Sequence, residues 1–312
     1  MKFFLDNYEW ITVPLNWENQ VILGPKENRI CRFCGLGKPM TSFKKNAHAI
    51  SEMLGNKKLL TNYECDKCNE KFSQLENDLG NFTLFWRSVS SIPGKRGKPK
   101  YKKDIVVAAD NGILQIGDLL TDPAAEYNTD DRTIILPGIR GPYVPMAVYK
   151  AFVKMALTVM PEDEIIHFKD TISWILEEEH VPKQITLYAL IRHTPGFNVF
   201  HHITYQLFFR KQDVDSKLPY CIFAIFFSSL MVQIVIPYSE KDKQFNLHLE
   251  QGGSVDIPCL PGTYDGIHPL GASSVDVKNL SGTEQVRGET EYITISYESM
   301  EEVNEKPDDH IT

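Results

Sequence analysis

Cysteine is almost absent outside one short segment. Of the six in the chain, only Cys221 and Cys259 lie beyond residues 31–68, and neither has a ligand partner at useful spacing. They read as ordinary buried or loop thiols, and no disulfide framework is expected. No secretion leader is expected either, since "MKFFLDNYEWITV" has only a short apolar run before Asp6 and Glu9. The most apolar stretch, "YCIFAIFFSSLMVQIVIPY" (220–238), contains Ser228, Ser229 and Gln233. Rich in β-branched and aromatic residues and slightly short for a helix across lipid, it predicts two buried strands or one long bent one. No membrane role and a cytoplasmic location are therefore expected. Basic residues are scarce beyond position 104, with 15 Lys+Arg against 30 Asp+Glu. Residues 1–104 carry 18 against 11, so contact with a polyanion belongs to the first third of an otherwise acidic chain. No internal repeat is found.

The chain of 312 residues is long enough for a full core and two domains. A helical pattern, "EKFSQLENDLGNFTLFWRSVS", follows the last clustered cysteine. After it, "SIPGKRGKPKYKKD" (91–104) has linker composition. "IVVAADNGILQIGD" and "RTIILPGI" alternate like strands. "PMAVYKAFVKMALTVM" (145–160) opens on Pro and repeats apolar residues at helical intervals, and "PEDEIIHFKDTISWILEEE" (161–179) reads as a second helix with an acidic start. From 184 to 238 the pattern is extended. The fold class expected is α+β: a small N-terminal unit at 1–90, a basic linker at 91–104, and a larger α+β unit at 105–300 with a helix pair on a mostly antiparallel sheet. Residues 301–312 are expected to be disordered. "LPGIRGPYVP" reads as turn chemistry rather than a phosphate loop, since no Gly-Lys helix start accompanies it. His201 and His202 are adjacent in a strand, so their side chains diverge and a metal pair is not expected.

Cys31-x2-Cys34 and Cys65-x2-Cys68 form two pairs separated by 30 residues. Two such turns complete a tetrahedral site of four thiolates, pointing to structural Zn2+, with an iron–sulfur cluster as the competing ion chemistry. Four ligands leave no open position, so any reaction must use other residues. His48, in "FKKNAHAI" inside the loop those pairs close, is the first candidate, although a lone histidine also suits a purely structural place.

The elements "CRFC", "HAISEMLG", "CDKCN" and "QLEND", in that order from Cys31 to about Leu79, resemble the HNH endonucleases, or ββα-metal nucleases. The likeness is to the subgroup with two Cys-x-x-Cys turns around a His-x-Ile-Pro-Glu-x-Leu-Gly run. It implies a ββα fold for about 50 residues and hydrolysis of phosphodiesters in DNA, with His48 as the general base activating water. It places Asn62 near the middle Asn that braces the histidine loop, and Asn69 at the helix-start position of a divalent metal ligand, Mg2+ or Mn2+. A neutral imidazole can take a proton from water near pH 7, and a hard cation can neutralise charge at the scissile phosphate. Similar domains occur in bacterial anti-phage effectors. The sequence departs from the pattern at Ala47, where many members have Asp, and at Ser51, where they have Pro. The missing carboxylate must then come from elsewhere, with Glu52, Glu64, Asp66 and Glu76 as local candidates.

Lys44, Lys45, Lys57 and Lys58 flank the histidine, and "GKRGKPKYKK" follows the helix. Such clusters suit backbone phosphates of double-stranded DNA. The larger unit matches no motif; oligomerisation, binding of a small-molecule or protein activator, and restraint of the nuclease are its expected roles. The competing reading is a zinc-ribbon nucleic-acid-binding module that has lost catalysis, with Ala47 as the sign of decay.

Overall fold

The computed structural model describes residues 1–94, 125–181, 185–194, 198–251, 257–261 and 273–301, with residues 97, 99, 101, 102, 106–110, 113–117 and 196 between them. The architecture is α+β, with the cysteine-rich unit at the N-terminal side. Its largest layer is a six-stranded, wholly antiparallel sheet in the order 8–14, 200–210, 221–228, 230–235, 188–193, 274–279. The apolar stretch 220–238 supplies its centre as two strands joined at Ser228–Ser229. Ser228 takes φ 56°, and its hydroxyl donates to Asn198 Oδ1 at 2.9 Å. Alternation then serves both faces: Phe223 and Ile225 enter the main core, while Ile222 and Ala224 pack with Phe4, Tyr8 and Leu260 on the other side. No helix among the described residues is long and apolar enough to cross a membrane.

A central helix, Pro145–Val159, lies against this sheet and is buried along every residue but the last. Helices apolar all round are core helices, and this one also carries two buried lysines, Lys150 and Lys154. Beside it runs the knuckle helix, Asp66–Val89, which starts three residues earlier than Asn69 and so takes Cys68 into its first turn. One continuous core joins Cys31, Cys65, Phe72 and Leu79 to Phe152, Trp174, Phe223 and Ile234.

Several elements differ from the sequence reading. The segment 161–179 is not one helix: it breaks into Glu162–Ile165, a 3-10 turn over Ile166–Phe168, and Lys169–Leu176. The break lets Phe168 bury completely while His167 meets Glu240 on the outside. "RTIILPGI" is the expected strand, Thr133–Ile139, so the turn read over "LPGIRGPYVP" starts only at Arg140; Gly138 is there because a Cβ would sit 2.2 Å from the Phe85 ring. Tyr8–Pro14, grouped by sequence with the cysteine unit, forms an edge of the large sheet against Thr204–Arg210. Within the basic stretch, Tyr101 is buried on Phe85 and its hydroxyl accepts from the Ile139 N–H at 2.7 Å. His201 and His202 are both exposed, beside a register shift between Phe200 and Thr204. Residues 302–312, read as tail, lie outside the described residues.

Candidate active site

The cysteine unit is built on a small sheet in which Leu59–Thr61 pairs parallel with Val21–Leu23 and antiparallel with Ala47–His48. The knuckle helix follows directly. Sulfurs of Cys31, Cys34, Cys65 and Cys68 all lie within 4.8 Å of one another, with Cys34 and Cys65 at 3.7 Å. Four thiolates at about 2.3 Å from a tetrahedral Zn2+ would stand about 3.8 Å apart, so the donor set fits that ion. The Cys68 thiol and the N–H groups of Cys34, Cys65 and Phe33 hydrogen-bond to the Cys31 sulfur, which against the effect of burial brings its pKa down to about 5. Burial pushes the Cys34 thiol up to about 11.

Strand alternation decides the two positions at the histidine. Ala47 points inward and is buried, and His48 points out, half-exposed. An aspartate at 47 would put a carboxylate in the interior, which accounts for alanine there. Ser51 is equally explicable: its N–H, absent from a proline, reaches Met155 Sδ at 3.3 Å. His48 Nε2 stands 3.5 Å from Glu52 Oε2, both side chains about one-quarter exposed.

The remaining carboxylates divide by surroundings. Asp66 accepts from Ser42 Oγ at 2.5 Å and from the amides of Lys44 and Lys45; burial is the largest single influence and pulls its pKa up, but these bonds together outweigh it and hold the carboxyl below the usual range. It is therefore committed to the 42–45 loop. Glu64 has a fully buried side chain and pairs with Lys154 at 2.9 Å; burial raises its pKa against the pull of that lysine. Glu76 is 4.0 Å from the same ammonium. Glu52 alone of these four approaches the imidazole on its solvent side.

Asn62 is buried on the neighbouring strand end, with its N–H bonded to Leu23 O. The bracing that resemblance assigns to it is made in the structure by Asn56, which sequence reading passed over. Asn56 Nδ2 donates to Ile50 O (2.6 Å) and Leu59 O (2.9 Å), and its Oδ1 accepts from the amides of Lys58 and Leu59. Its only sequence signal is the Gly55-Asn56 pair, with Gly55 at φ 100° closing the 52–54 turn. Asn69 is half-buried in the first turn of the knuckle helix. Lys44, Lys45 and Lys57 are exposed beside the histidine loop, whereas Lys58 Nζ donates to Glu18 O at 2.5 Å and is tied to the protein.

Residues 31–81 match the family model described as HNH endonuclease. With the four clustered cysteines, this stretch fits an HNH zinc-knuckle domain. No curated protein and no solved structure matches the chain.

Proposed function

We propose that the chain, whose residues 31–81 match the HNH endonuclease family, is a metal-dependent DNA endonuclease in which His48 is the general base. The observation that carries this reading is the placement of His48. It projects from a strand paired with Leu59–Thr61 and followed by a loop that Asn56 holds, and its side chain is about one-quarter exposed with Nε2 3.5 Å from the Glu52 carboxylate. In the reaction His48 Nε2 takes a proton from a water that attacks the phosphorus in line, opposite the leaving oxygen. Glu52, whose carboxylate lies 3.5 Å from that nitrogen, supplies the carboxylate absent at Ala47. Zn2+ on the four cysteines is structural. Glu52 and Asn69 offer the oxygen donors that suit Mg2+ or Mn2+, a hard cation that keeps several waters and neutralises charge on the phosphate. Lys44, Lys45 and Lys57 meet backbone phosphates of double-stranded DNA, giving salt-dependent binding without sequence readout. The larger unit restrains or licenses cleavage, through an activator or a homo-oligomer, as suits a cytoplasmic anti-phage effector.

The test is incubation of supercoiled plasmid with the zinc-loaded chain across Mg2+ and Mn2+ concentrations. Nicked or linear product that disappears with excess chelator of divalent ions, while the zinc stays bound, is expected. Cleavage that persists unchanged without Mg2+ or Mn2+ would contradict a second, catalytic ion.

A further inference from the structure

The candidate site touches a charged side chain from far outside residues 31–81. Lys154, in the middle of the central helix, is buried to 2 % exposure. Its ammonium donates to the backbone carbonyl of His48 at 3.1 Å and meets Glu64 Oε2 at 2.9 Å. It also lies 4.0 Å from Glu76 Oε1 and 5.8 Å from the centre of the Phe72 ring. These partners belong to three parts of the nuclease unit: the histidine strand, the turn before Cys65, and the knuckle helix. Asn69, Phe72 and Glu76 recur at intervals of three and four, so they share one helix face. The ammonium therefore sits where the His48 strand and the Asn69 helix face come together.

Burial of a lysine costs several kcal/mol unless its charge is matched and its donors are used. Here burial acts to lower the Lys154 pKa, but Glu64 and Glu76 outweigh it and hold the ammonium above its ordinary range. One hydrogen of Lys154 is thereby directed at the carbonyl of the residue that carries the imidazole. Adjacent contacts fix the same helix to the same unit. Arg32, inside the first cysteine turn, donates to the carbonyls of Leu157, Thr158 and Met160 at the helix end. Asp78 on the knuckle helix accepts the Val144 N–H at its start, at 2.6 Å. With both ends held, the lysine has a fixed base from which to reach His48.

We propose that Lys154 is a positioning residue for His48: the larger unit's central helix sets the histidine strand against the knuckle helix through one buried ammonium. This rests on the nuclease reading for its kinetic consequence but not for its structural one. Two double variants of the full, zinc-loaded chain test it. Lys154→Met with Glu64→Gln removes both buried charges and the donor together. Lys154→Gln with Glu64→Gln removes the charges and keeps an N–H donor.

Hydrogen exchange is read over residues 47–50, alongside zinc content, the thermal midpoint and plasmid cleavage. In the methionine variant, exchange at 47–50 should quicken at least about tenfold, and kcat should fall about tenfold or more with KM within about twofold. Zinc should remain stoichiometric, and the glutamine variant should recover part of both losses. Wild-type exchange at 47–50, or exchange that quickens uniformly along the chain in whichever variant folds, overturns the proposal. So does a change in KM with kcat intact. If wild type cuts no DNA under any metal without an activator, the kinetic readout falls away and the exchange comparison alone decides whether Lys154 holds the strand.

Discussion

His48 and its immediate neighbours show how much a single position depends on which way its side chain faces. Ala47 looks from sequence like the loss of a metal ligand, yet its methyl group is buried and it is its neighbour His48 that faces outward. Restoring the family residue by Ala47→Asp should therefore destabilise the chain, by about 1–3 kcal/mol, instead of raising activity. Denaturant unfolding beside cleavage rates would show it; an active, equally stable variant would count against this account of the site. Glu52→Gln keeps the shape of the side chain and removes its charge. It should raise the Mg2+ concentration for half-maximal cleavage about tenfold or more while zinc content stays the same. An unchanged metal requirement would assign Glu52 to the surface and leave the carboxylate to Glu76. Cysteine spacing made the metal turns legible, because four thiolates at those intervals have few other uses. Asn56 was not legible, since nothing in one sequence marks which of several asparagines will turn its amide onto a loop's own carbonyls.

At the scale of elements, period and composition located the central helix to within a residue and read the apolar stretch as two strands or one long bent one, of which the structure has two. They could not foresee the break at Ile166–Phe168, where the demand to bury Phe168 and the contact of His167 with Glu240 override a continuous helical pattern. Nor could they show that the two helix ends are capped from another part of the chain. The central helix has no side-chain cap of its own, and Arg32 and Asp78 provide the opposite charges that its dipole favours. Arg32→Ala removes three hydrogen bonds to helix carbonyls and the stacking of its guanidinium on Tyr63, 3.8 Å away. A loss of about 1–3 kcal/mol is expected, with the cysteine site still loaded. Calorimetry with zinc analysis on the same sample would check it, and an unchanged midpoint would show that solvent replaces the cap.

Across the whole molecule the main surprise is continuity. A Gly-, Pro- and Lys-rich stretch reads as a linker between units, but one core runs from the cysteines to the sheet, and residues 8–14 lie in that sheet. Long-range pairing of this kind leaves no local trace in sequence. Buried charge elsewhere in the larger unit adds a pH dependence. Burial, partly offset by Arg210 and by the Tyr220 N–H, pushes the Asp242 carboxyl from 3.8 up to about 7. The folded chain thus keeps a proton that the unfolded chain releases, so this residue's stabilising contribution is complete at acid pH and fades as pH climbs towards 7. The thermal midpoint of Asp242→Asn relative to wild type should move in the variant's favour as pH rises from about 5, below that value, to about 8, above it. A flat or opposite difference would mean that the ion pair with Arg210 keeps Asp242 charged throughout.

The claim that the chain cuts DNA with His48 is met most directly by one comparison. Wild type and His48→Ala, each with its zinc content measured, are given supercoiled plasmid and Mg2+ or Mn2+. Cleavage by wild type and its loss in the variant, by about a hundredfold or more with zinc and fold intact, is the predicted result. Equal cleavage by both proteins would remove His48 from the chemistry. Equal silence across metals, with DNA still bound, would make the cysteine unit a binding module.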